Sequence, residues 1–237
     1  MSKKLVKEFC GITDIGTKRI TNEDVFASLT ECGFFALADG MGGHKAGEVA
    51  AKEAISFICS SIKHIYTGHD QKNLEQVSLS LKKLFENAND WIYKLSRSHE
   101  NFFGMGTTLC SILFFDSKVI FSNVGDSRIY LFRNYELILL TQDHSTIVKN
   151  KQNKSKKFLT QVIGSSRIIS PQVESLDPLE GDIYLICSDG LSDFVKSEYI
   201  QLILKSKFNL EEKTKLLIET AKKQGSTDNI TVILIQL

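Results

Sequence analysis

The chain has 237 residues, with 29 Lys and Arg against 28 Asp and Glu and 42% hydrophobic content. Its net charge of +1 gives no global pull toward nucleic acid or an anionic membrane, and its size suffices for one substantial core. No apolar run reaches membrane-spanning length, and two prolines with ordinary glycine usage exclude a disordered or low-complexity chain.

Residues 1–8 carry charges with no apolar stretch of leader length behind them. Five cysteines (Cys10, Cys32, Cys59, Cys110 and Cys187) are odd in number, widely spaced and without a CxxC pair. They read as reduced, semi-buried thiols of a cytoplasmic protein. A polar, turn-forming stretch from Gly16 to Asp24 holds Arg19, Glu23 and Asp24; taken alone it reads as a surface charge followed by a helix start. The apolar run 34–38 predicts a strand. Two helices follow, because Ala50, Ala54, Phe57, Ile58, Ile62 and Ile65 recur at three- and four-residue steps, as do Leu74, Val77, Leu81, Phe85, Ala88, Ile92 and Leu95.

Strands are predicted over 107–115, 119–124, 128–132 and 137–140. The short links Asp116-Ser117-Lys118 and Arg133-Asn134-Tyr135-Glu136 make neighbouring strands antiparallel. Residues 149–157 (KNKQNKSKK) hold five lysines and read as a solvated loop or, more sharply, as a basic flap meeting an acidic or phosphorylated partner. A strand over 183–187, helices over 197–206 and 210–224, and a strand over 230–237 complete the order. Helices grouped between blocks of strands disfavour a doubly wound parallel sheet. The expected fold is α+β: two antiparallel sheets flanked by helix pairs in a four-layer α-β-β-α sandwich, one domain over 1–237 with a short lysine-rich flap at about 146–160.

Acidic residues gather at the ends of the most apolar strands. The run ending at Ala38 passes into Asp39-Gly40, the run ending at Cys187 into Ser188-Asp189-Gly190 and Asp193, and the run ending at Val124 into Gly125-Asp126; Asp228-Asn229 precedes the last strand. Asp-Gly is also the commonest turn dipeptide, but its recurrence at buried strand ends points elsewhere. Carboxylates converging there would repel one another unless a hard divalent cation joined them, and Mg²⁺ or Mn²⁺ takes such oxygen ligands. Beside such a cluster, Arg19 acquires a second meaning, since a guanidinium grips phosphate oxygens as a fork.

The motifs Arg19-x-x-Asn22-Glu23-Asp24, Asp39-Gly40-Met41-Gly42-Gly43-His44, Gly104-Met105-Gly106-Thr107-Thr108, Gly125-Asp126-Ser127-Arg128, Asp143-His144-Ser145, Ser188-Asp189-Gly190-Leu191-x-Asp193 and Ser226-Thr227-Asp228-Asn229 resemble, in order, those of the protein phosphatase 2C family in its compact bacterial form. The resemblance spans about residues 11–237. It implies a β-sandwich flanked by helix pairs and metal-dependent hydrolysis of phosphoserine and phosphothreonine in proteins. Asp39 would bridge two Mn²⁺ or Mg²⁺ ions, with the Gly40 carbonyl on one and Asp189 and Asp228 on the other. Glu23 or Asp24 would hold metal-associated waters or orient Arg19, and Arg19 would grip the phosphate. Asp126 and Asp193, with Asp189, match the positions of a third, weaker ion; Asn229 would support the site from behind.

The implied nucleophile is water activated between the two ions, and no Cys-x5-Arg loop offers a cysteinyl route. Where some members have a leaving-group His after Asp-Gly, this chain has Met41, and His44 does not inherit that role. The flap is shorter and richer in lysine than is usual in the family. Expected partners are phosphorylated Ser/Thr proteins, Ser/Thr kinases among them, acted on by a cytoplasmic monomer, with neither nucleic acid nor membrane. Two alternatives stand beside this: an inactive pseudophosphatase binding phosphoproteins, and a metal-dependent hydrolase of nucleic acid or small phosphoesters.

Overall fold

A computed structural model describes residues 6–42, 46–67, 73–149 and 155–237. Strands β1 (Glu8–Asp14), β2 (Asp24–Leu29) and β3 (Phe34–Met41) precede a helix pair, α1 (Ala46–Thr67) and α2 (Leu74–Leu95). Five strands follow: β4 (Gly106–Thr107), β5 (Leu109–Phe115), β6 (Lys118–Val124), β7 (Arg128–Arg133) and β8 (Glu136–Leu139). Next come β9 (Ser145–Lys149), β10 (Ser155–Leu159), β11 (Gln172–Leu176) and β12 (Ile183–Cys187). A short helix α3 (Asp189–Ser192), the pair α4 (Ser197–Lys205) and α5 (Leu210–Lys223), and β13 (Ile230–Gln236) complete the order.

Two sheets carry the fold, one ordered β1-β13-β12-β7-β8 and the other β11-β6-β5-β3-β2, with β4 beside β3. Both are antiparallel among the described residues. Because side chains alternate along a strand, each central strand feeds two cores. Phe34, Ala36 and Ala38 of β3 pack with α1 and α2, while Phe35 and Leu37 enter the core between the sheets. In β13, Val232 and Leu234 pack with α4 and α5, and Ile233 and Ile235 turn to the central core. The result is the expected four-layer α-β-β-α sandwich. Burial on both faces explains why these strands read as unbroken apolar runs.

The hairpin links meet the expectation closely. Asp116-Ser117 and Asn134-Tyr135 each have positive φ at both residues, the two-residue turn whose twist matches paired strands. The helix α2 begins with a reciprocal cap: Asn73 accepts from the Gln76 backbone, and Gln76 accepts from that of Asn73. Asn209 and Glu212 do the same for α5.

Three departures matter. Glu23 and Asp24 do not begin a helix; Asp24 opens β2. The strands β1, β2 and β11 were not foreseen. The lysine-rich segment is not simply a solvated loop, since β9 and β10 pair in a two-stranded arm, Lys157 opposite Ile147; residues 150–154 lie outside the described residues.

Candidate active site

One edge of the sandwich gathers the acidic strand ends into a cleft of about 200 Å³, lined by Arg19, Glu23, Asp39, Asp126, Asp189 and Asp228. Gly40 and Leu159 also border it. The backbone of Asp39 is fixed from β4 and beyond: its N–H donates to Thr108 Oγ1 at 3.0 Å, and its carbonyl accepts from Thr108 N at 2.8 Å and Thr107 Oγ1 at 2.9 Å. Gly40 is glycine for a steric reason. A Cβ there would collide with the carbonyl of Gly47 at the start of α1 and press on that of Glu23.

Asp24 lies opposite Asp39 across the β2–β3 ladder and is 5% exposed. Its Oδ2 accepts from Ser188 Oγ and Thr231 Oγ1, each at 2.7 Å, whereas Oδ1 is buried without a partner. Asp189 Oδ1 is likewise buried and unpartnered. Burial, then the neighbouring Asp24, Asp189 and Asp228, pushes the Asp39 carboxyl well above the usual range. Burial and repulsion from Asp126 and Asp228 raise Asp189 to about 7; burial raises Asp24 to about 6 against its hydroxyl donors.

Asn229 ties the loop bearing Arg19 to β13. Its Nδ2 donates to the carbonyls of Ile15 at 3.0 Å and Thr21 at 2.9 Å, and its Oδ1 accepts from Glu23 N at 2.9 Å. Its own N–H donates to Asp228 Oδ1 at 2.8 Å.

The resemblance offers Glu23 or Asp24 to hold metal-associated waters or to orient Arg19. In the structure Arg19 Nη2 donates to Asp228 Oδ2 at 2.7 Å, Glu23 adds a through-space attraction to the guanidinium, and Asp24 is held by Ser188, just past β12, and Thr231 of β13. Asp126 and Asp193 both hold Lys157, with Nζ 2.6 Å from Asp126 Oδ2 and 2.9 Å from Asp193 Oδ2. Burial alone would lower the Lys157 pKa, but hydrogen bonds to the two carboxylates outweigh it. Sequence reasoning assigned no role to Lys157, nor to Thr108 and Ser188, which stand inside the quoted motifs, nor to Thr231, a hydroxyl at a buried strand end. Gly43 and His44 lie outside the described residues.

Among the described residues, no three His, Cys, Asp or Glu side chains stand close enough together, as placed, to hold a metal ion. The donor set nevertheless fits a hard divalent ion. Its members are oxygen ligands around an open cleft, where Mg²⁺ or Mn²⁺ keeps several waters, and the orphaned oxygen and raised pKa of Asp189 mark charge that a cation relieves. The thiols offer no nucleophile here: Cys110 and Cys187 are fully buried, and burial pushes Cys187 up to about 12. Among the described residues, no helix is long and apolar enough to cross a membrane.

Comparison with known proteins agrees with this geometry. The family profile Protein phosphatase 2C matches residues 17–232. A putative protein phosphatase 2C-type of Streptococcus pyogenes is 35% identical, covering 94% of each chain. The serine/threonine phosphatase stp of Listeria monocytogenes is 34% identical, covering 94% of this chain and 93% of its own. The S. agalactiae serine/threonine phosphatase superposes with a TM-score of 0.86 at 31% identity, over 97% of this chain and 99% of that one. The catalytic domain of the phosphatase PstP, solved with two manganese ions, gives 0.79 at 30% identity over 97% of both. From its fold, its ordered acidic strand ends and these relatives, the chain belongs to the protein phosphatase 2C family.

Proposed function

We propose that this chain hydrolyses phosphoserine and phosphothreonine in proteins, using two Mn²⁺ or Mg²⁺ ions. The observation that carries the reading is that Asp39, Asp189 and Asp228 reach one cleft from three separate strand ends with the Arg19 guanidinium among them. Asp39, the Gly40 carbonyl, Asp189 and Asp228 would hold the ions, with Glu23 at the rim. Bound there, the ions supply Lewis acidity toward phosphoryl oxygens and acidify water. Arg19, restrained by Asp228, presents its free N–H groups to the phosphate and orients it. Asp24 backs Asp39 through the β2–β3 ladder, and its hydroxyl partners keep that carboxylate from turning away. Asn229 holds the Arg19 loop in register with Asp228.

The reading as a pseudophosphatase that binds without turnover finds no support, because every acidic position of the motifs is retained and the named relatives are phosphatases. A nucleic-acid substrate is disfavoured by the net charge of +1. The domain is proposed to span 1–237 with a flap at about 146–160, acting as a cytoplasmic monomer that opposes Ser/Thr kinases. The test is phosphate release from a phosphothreonine peptide with Mn²⁺ and after EDTA; release that ignores the chelator overturns the proposal, as does no release with metal.

A further inference from the structure

Lys157 comes from the segment whose composition suggests a solvated surface, yet its ammonium reaches across the cleft edge. It lies 2.6 Å from Asp126 Oδ2 and 2.9 and 3.1 Å from the two Asp193 oxygens. These are distances of charge-assisted hydrogen bonds. The Lys157 side chain is 27% exposed and that of Asp126 only 5%, so the pair is screened less than an open surface pair.

The placement is built by the backbone. Thr160 N–H donates to the His144 carbonyl at 2.8 Å, and His144 N–H to the Gly125 carbonyl at 2.9 Å. Gly125 N–H returns a bond to His144 Nδ1 at 3.2 Å. The base of the β9–β10 arm is thus stitched to the residue just before Asp126. Along β10 the pleat does the rest: Leu159, two positions from Lys157 and on the same strand face, borders the cleft, while Phe158 between them is exposed.

We propose that the Lys157 ammonium is a built-in substitute for the third divalent ion, filling the place between Asp126 and Asp193 and fastening the β9–β10 arm to the site. An ion entering there must displace a cation already bonded to both carboxylates, so the chain is limited to two ions. This rests on the two-ion reading above. In this role Lys157 is a positioning residue, acting on the arm and on the acids rather than on the phosphate.

Calorimetric titration of the full chain with Mn²⁺ tests it. Wild type binds two ions; Lys157→Met gains a third site at least about tenfold tighter than any further wild-type binding. Lys157→Arg, which keeps the charge, restores the count of two. On the wild-type protein itself, mass spectrometry of amine acylation gives a second readout: Lys157 labels slowly and stays slow as Mn²⁺ rises beyond two equivalents. Three ions on wild type, only two on a folded Lys157→Met, or labelling that accelerates with excess Mn²⁺ each overturns the substitution while leaving the two-ion reading intact. Fewer than two ions on wild type overturns both.

Discussion

Asp24 and Asp39 face one another across the β2–β3 ladder, two buried carboxyls in adjacent strands, and only Asp24 is held by side-chain hydroxyls, from Ser188 just past β12 and Thr231 of β13. Burial lifts Asp24 from 3.8 to about 6, and Asp189 from 3.8 to about 7 with help from Asp126 and Asp228. Both folded values exceed the unfolded ones, so these groups favour the fold below pH 4 and that contribution is lost as pH rises through about 6 to 7. In EDTA, the contribution of these acids therefore falls between pH 5 and pH 7.5, and Mn²⁺ restores stability at the higher pH. Denaturant melts of wild type and Asp24→Asn read this directly: the variant flattens the pH dependence by on the order of 2 kcal/mol.

Asp39→Asn and Asp189→Asn are expected to separate activity from stability. Each weakens the metal site and lowers kcat by at least about a hundredfold on a phosphothreonine peptide. Each also removes a charge from a crowded acidic set, so the metal-free variant melts a few degrees above metal-free wild type, at roughly 2–4 °C per kcal/mol for a chain of this size. Thermal melts in EDTA check the second half.

Arg19 holds Asp228 through one terminal nitrogen, which leaves the rest of its fork for a phosphate. A lysine at that position keeps the charge but loses the planar pair of donors. Arg19→Lys should raise KM by about tenfold, one lost charge-assisted hydrogen bond, while Mn²⁺ affinity measured by calorimetry changes little.

Asn229→Ala leaves the Ile15 and Thr21 carbonyls and the Glu23 N–H without their partner. Unmaking buried bonds of this kind costs about 1–3 kcal/mol each before relaxation, so a loss of about 3 kcal/mol is expected in a urea melt. Hydrogen exchange over residues 15–23 should accelerate, and Arg19 should lose its fixed aim, raising KM.

The strands legible in the sequence are those buried on both faces, such as β3, β12 and β13, where apolar runs leave no alternative. The unforeseen β1, β2 and β11 are sheet edges, half-solvated and without such runs; β8, also an edge, was found through its hairpin turn. In the site, the carboxylates were visible because an acid at the end of a buried strand is anomalous. The Ser188 and Thr231 hydroxyls were not, since nothing local tells a hydroxyl that holds Asp24 from one that simply ends a strand. Lys157 was hidden among its neighbouring lysines, because its partner Asp193 lies 36 positions away.

The strand β13 lies between β1 and β12, and on its other flank in sequence it brings Asp228 and Asn229. During synthesis on the ribosome, β1 therefore waits without its ladder partner until a segment more than two hundred residues downstream has emerged. The arginine loop has nothing to dock on before then. A nascent chain consequently carries no working centre, and competence arrives in a single late step.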